Sequence, residues 1–145
     1  MDDLLNKLVG RWSLTGKMGD TALYQKVDAK WVLRELFVEM RFSPLRVGEG
    51  GNPDYEALYL IGHDKKTDEY ILHLFDTFGV SSKPTPGVGQ LKDNSILFKF
   101  NYDVGPWLNT FTWNQEHKSW KNTITYEHKD GMKGTFAEKE LTPIH

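Results

Sequence analysis

The sequence predicts an all-β protein: a single antiparallel up-and-down β-barrel of about nine to ten strands behind a short N-terminal helix. Three observations lead there. Residues alternate with a period of two in runs such as Ile96–Phe98–Phe100–Tyr102 and Trp120–Asn122–Ile124–Tyr126, which is the periodicity of strands. Turn-forming clusters separate these runs at regular spacing, with no long crossover between them. Aromatic residues make up 13% of the 145, and bulky rings suit a β-rich core or an apolar cavity. Closure into a barrel also removes the exposed edges that such a sheet would otherwise present.

Each element has its own signal. Asp2 and Asp3 cap a short helix in which Leu4, Leu5 and Leu8 share a face, and Gly10 ends it. Arg11 to Lys17 follows as a strand, with Trp12 and Leu14 on one face. Lys17–Asp20 turns the chain, and Leu23 to Asp28 returns it. Residues 29–42 fit helical and strand spacing equally well, and are read as strand, turn and strand. Pro44 to Pro53 is a loop by composition, with Gly48-Glu-Gly-Gly51 inside it. Tyr55 to Asp76 is the clearest hairpin, two apolar runs joined by Lys65–Glu69. Ser81 to Gly89 is a loop or a kinked edge, because two prolines cannot sit in a central strand. The last third is a meander. Strands cover Ile96–Tyr102, Thr110–Asn114, Trp120–His128 and Thr135–Leu141, with Asp130-Gly131 as the last hairpin turn.

Composition narrows the function classes. At 145 residues the chain is one domain, 1–145, large enough to bury a core unaided. It has no cysteine, so disulfides, thiol nucleophiles and thiolate metal sites are excluded. A net charge of −2 gives no electrostatic reason to expect nucleic acid or an anionic membrane. Neither a signal peptide nor an apolar run of membrane-spanning length is visible, so a cytoplasmic location is expected. The glycines at 48–51 are followed by Pro53 and lack the parts of a phosphate loop. Histidines at 63, 73, 117, 128 and 145 show no metal-ligand spacing, so neither metal nor cofactor is expected.

Leu8-Val-Gly-Arg-Trp12, an L-x-G-x-W motif opening the first strand, resembles the start of lipocalin-like and fatty-acid-binding-protein-like barrels. Trp31-Val-Leu33, Leu60-Ile-Gly-His-Asp64 and Phe75-Asp76 are similar to motifs of an uncharacterised bacterial family with a lipocalin-like, calycin-type barrel. The resemblance spans nearly the whole chain. It implies a closed β-barrel, and for Trp12 a structural role at one end; it implies no established activity. The chain departs from fatty-acid-binding proteins, since the short Lys17–Asp20 connection has no room for their helical lid. No arginine follows Arg46, which removes their carboxylate clamp and the late arginine of lipocalins proper. More distantly, nitrobindins share the fold and opening motif and bind haem through a histidine near the final strand. His128 is the nearest match to that ligand.

If Lys99, Lys121 and Glu127 face water, then Phe98, Phe100, Phe111, Trp113, Trp120 and Tyr126 project inward. Tyr102 shares the face of Phe98 and Phe100, and Asn122 and His128 share that of Trp120. His73 is inward only in one of two registers; the other buries Leu72, Leu74 and Asp76. Barrels with more than eight strands have room for a small molecule. The expectation is a barrel that binds a small, largely apolar ligand, lined by these residues and oriented by Asn122, Tyr126, His73 or His128. The alternatives are a haem-binding barrel, a cofactor-free enzyme using an interior histidine with Asp76, Glu138 or Glu140, and a structural domain forming a homodimer.

Overall fold

Antiparallel hairpins follow one another without interruption, and the last strand returns to pair with the first. The computed structural model describes residues 2–45 and 54–144; the glycine-rich stretch at 46–53 and His145 lie outside the described residues. A one-turn helix, α1 (Asp3–Asn6), precedes ten strands. These are β1 (Gly10–Met18), β2 (Thr21–Val32), β3 (Phe37–Pro44), β4 (Ala57–Asp64) and β5 (Glu69–Asp76). Next come β6 (Gly87–Lys92), β7 (Ser95–Tyr102), β8 (Gly105–Asn114), β9 (Ser119–Glu127) and β10 (Lys133–Pro143). Each strand pairs with the next, and β10 closes on β1 in a single barrel. Among the described residues no helix is long and apolar enough to cross a membrane.

The ambiguous stretch at 29–42 is strand, turn and strand. β2 continues to Val32, beyond the expected end at Asp28, because its inward series Leu23, Gln25, Val27 and Ala29 stays buried without a break. Leu33, Arg34 and Glu35 turn the chain at φ of 51°, 57° and 62°. Three consecutive non-glycine residues in the left-handed region cost on the order of 1 kcal/mol each.

The largest difference from expectation is β6, which takes over the end of the stretch expected as loop. Its inward positions are Gly87 and Gly89, so no apolar alternation announces it. The glycines are there because neighbouring rings fill their space. A Cβ on Gly87 would stand 2.6 Å from the Phe100 ring, and one on Gly89 would stand 2.6 Å from the Phe98 ring.

The hairpin at 55–76 fixes the second disputed register. Tyr59 pairs with Leu74 and Ile61 with Leu72, and these four point inward. His73 and Phe75 are therefore on the outer face and exposed.

One end of the barrel is sealed. Asp2 caps α1 by accepting from the Leu5 amide at 2.8 Å. Leu5 and Leu8 are buried in the core. Indole groups then tie this segment to the strands. Trp12 Nε1 donates to the Leu8 carbonyl at 2.8 Å, and Trp120 Nε1 to the Lys7 carbonyl at 2.9 Å. Trp31 Nε1 donates to Asn6 Oδ1 at 2.9 Å, and the Tyr70 hydroxyl donates to Asp2 Oδ2 at 2.7 Å. Trp12 thus holds the end-plugging position that the L-x-G-x-W motif implies.

Candidate functional site

At the opposite end the strands leave a cavity of about 440 Å³. Its walls are Leu74 of β5, Phe100 and Tyr102 of β7, Trp107 of β8, Ile124 of β9 and Phe136 of β10. Phe78, from the loop after β5, completes the apolar rim. Polar groups come from Tyr55, Asp76 and Asn109. A small volume, apolar walls and a few converging polar atoms are the usual make-up of a small-molecule site.

Local structure aims these side chains. The register of β9 against β10 slips between Thr135 and Ala137, so Phe136 occupies a β-bulge. The bulge breaks the alternation that would have sent Phe136 outward. Its ring lies 5.1 Å from Trp107 and 6.2 Å from Phe78. Phe100 and Tyr102 stack at 5.6 Å, which holds the partly exposed Tyr102 against the rim. On the β5 side the wall is incomplete. Only Tyr70, Ile71 and Leu72 of β5 pair with β6, so His73–Asp76 have no strand partner there.

The polar side of the cavity is a network with gaps. The Tyr55 hydroxyl donates to Asp76 Oδ2 at 3.1 Å. Burial, then the neighbouring Tyr59 and Asp76, push the Tyr55 hydroxyl well above its usual range, so it remains a donor. Gln25 Nε2 donates to the Tyr55 carbonyl at 3.0 Å. Deeper in, Asn122 Nδ2 donates to Asn109 Oδ1 at 2.7 Å, and Asn109 Nδ2 donates to the Tyr59 hydroxyl at 3.4 Å. Gln25 Oε1, Asn122 Oδ1 and the ammonium of Lys139 are buried without a partner. Burial lowers the Lys139 amine to a pKa of about 8, with Asp76 acting in the opposite direction.

The expected site residues separate into groups. Phe100 and Tyr102 line the cavity. Phe98, Phe111, Trp113, Trp120 and Asn122 are inward and buried, and they fill the barrel towards its sealed end. Tyr126 stacks on Trp107 at 5.2 Å, and His128 packs on Tyr126 at 4.7 Å, but neither lines the cavity. His73 is corrected: it faces outward, because its neighbours Leu72 and Leu74 take the inward positions. Glu138 and Glu140 are also exposed, which leaves Asp76 as the carboxylate of the expected trio that reaches the cavity. Among the described residues no histidine lines the cavity, and no group of three or more His, Cys, Asp or Glu could hold a metal ion.

Several lining residues were missing from the expected set. Asn109 and Ile124 share the parity of Phe111 and Trp120, so the alternation already contained them. Lys139 does not line the cavity, but it stands between Ala137 and Leu141 while Glu138 and Glu140 face water, and the same rule marks it as inward. Phe78 and Phe136 had no such signal, since one is in a loop and the other in a bulge. No family model matches the sequence, and no curated protein matches it.

Proposed function

We propose that the protein binds a small, largely apolar molecule in the open end of a lipocalin-like barrel. The observation that carries this is the 440 Å³ cavity with aromatic and aliphatic walls, set in a barrel whose other end is sealed. Excluding water from such walls is worth about 25 cal/mol per Å² of apolar surface buried. Tyr55, Asp76 and Asn109 orient the ligand's polar end. Likeness of the L-x-G-x-W and Trp31-Val-Leu33 motifs to the bacterial lipocalin-like family agrees with this architecture. The haem reading has less support, because His128 does not line the cavity and packs against Trp107 with ring centroids 6.3 Å apart.

The test is titration with N-phenyl-1-naphthylamine, a neutral dye that fluoresces in apolar pockets. The wild type is expected to bind it saturably. Ile124→Trp, which fills the cavity from β9, is expected to weaken binding at least about tenfold with the circular dichroism spectrum unchanged. Absence of saturable binding, or undiminished binding by the folded variant, would remove the proposal.

A further inference from the structure

We infer that the cavity takes an organic cation, an alkyl- or arylammonium ion whose head lies between Asp76 and the aromatic rim while its apolar body enters the barrel. The inference rests on the cavity-binding reading and adds the charge of the ligand's polar end. Among the described residues Asp76 is the one charged side chain in the lining. It is half-buried, on the part of β5 that has no strand partner in β6. The Tyr55 hydroxyl donates to its Oδ2 at 3.1 Å, and the Phe78 amide donates to its Oδ1 at 3.1 Å. Both donors are neutral, and Asp76 belongs to none of the ion pairs among the described residues. A carboxylate offers about four acceptor sites, so these two donors leave capacity for a ligand.

Aromatic rings surround that charge. Tyr55, Phe78, Phe136 and Trp107 follow one another along the lining, with successive centroids 5.3 Å, 6.2 Å and 5.1 Å apart. Phe100 and Tyr102 add a stacked pair at 5.6 Å. Ring faces attract a cation held within about 6 Å of the centroid, and tryptophan does so best. Burial, then the charge of Asp76, pushes the Tyr102 hydroxyl up, so this ring stays a neutral phenol as Tyr55 does.

The rings alone would suit an uncharged ligand equally well, and Asp76 decides between the two. Any ligand that fills the cavity displaces water from this carboxylate. A desolvated carboxylate is costly unless an opposite charge reaches it. The buried Lys139 neither lines the cavity nor pairs with Asp76, so it does not supply that charge at contact distance. An ammonium head on the ligand does. At the rim Phe78 is 66% and Tyr102 39% exposed, so a head placed there keeps part of its own hydration.

The experiment compares benzyltrimethylammonium with neopentylbenzene, its neutral isostere with carbon in place of nitrogen. Both compete with N-phenyl-1-naphthylamine for the full chain. The cation is expected to bind at least about tenfold tighter than the isostere, and added sodium chloride should reduce that preference. Asp76→Asn is expected to shrink the preference at least about fivefold with the circular dichroism spectrum unchanged. Should that variant fail to fold, the wild-type preference and its loss in salt decide. If the isostere displaces the dye as well as the cation does, or the folded variant keeps the full preference, the cation is overturned and the cavity reading stands. If the dye itself shows no saturable binding and neither compound binds, both are overturned.

Discussion

Lys139 carries its aliphatic stem into the barrel and ends in a charge that the interior does not solvate. The gap between a pKa of about 8 in the fold and the ordinary 10.5 amounts to on the order of 3 kcal/mol of destabilisation at neutral pH. The sign follows from proton binding. Between about pH 8 and 10.5 the unfolded chain holds more protons at this group than the folded one does, so this group's penalty fades as pH rises through that window. Below pH 8 it is present in full. Replacing Lys139 with methionine, which has a similar length and no charge, is therefore expected to stabilise the protein by about 1–3 kcal/mol at neutral pH. Thermal melts of the two proteins side by side should show the gap narrowing towards pH 10.5. A variant that is less stable at neutral pH, or a gap independent of pH, would mean that the ammonium is well satisfied where it is. Alternation of Lys139 with Glu138 and Glu140 made its inward direction readable from sequence. Its surroundings were not readable, because Phe42, Tyr55 and Asp76 lie far away in the chain.

Among the elements, β6 shows where sequence patterning stops being informative. Strands announce themselves by apolar side chains, and β6 has glycine at the positions that face inward. The volume is supplied by Phe98 and Phe100 from β7, so the signal for one strand sits in its neighbour. The meander from Ile96 to Leu141 and the hairpin at 55–76 were legible because each supplies its own apolar face. The bulge that turns Phe136 towards the cavity was not, since it depends on the pairing of β10 with β9. Gly89→Ala tests the account of β6. The added methyl would meet Phe98 at 2.6 Å and Ile96 at 3.1 Å, both fully buried. A loss of about 1–3 kcal/mol in urea unfolding is expected. Val88→Ala, on the partly exposed outer face of the same strand, should cost less than about 1 kcal/mol. Equal effects would show that Phe98 yields freely and that the glycine is not needed for packing.

At the scale of the whole molecule the barrel is asymmetric along its axis. Towards α1, the rings of Phe98, Phe111 and Trp120 meet edge to face, with centroids 6.4 Å and 6.2 Å from Phe111, and indole hydrogen bonds hold the helix in place. Towards the cavity, Phe136 packs edge to face on Trp107 at the border of unfilled space, and the pairing of β5 with β6 stops at Leu72. This division predicts that stability resides in the sealed half and that the proposed ligand exchanges through the open half. Truncating one aromatic residue in each half separates the two roles. Phe111→Ala removes a ring that is fully buried and should cost about 3–5 kcal/mol. Phe136→Ala removes a half-buried ring that borders a cavity, and should cost less than about 1.5 kcal/mol because the lost contacts are few. The same substitution should weaken N-phenyl-1-naphthylamine binding several-fold, since it removes part of the wall that the dye touches. If chemical denaturation gave equal losses for the two variants, the open end would be packed as tightly as the sealed one. The division of the barrel into a structural half and a binding half would then fail.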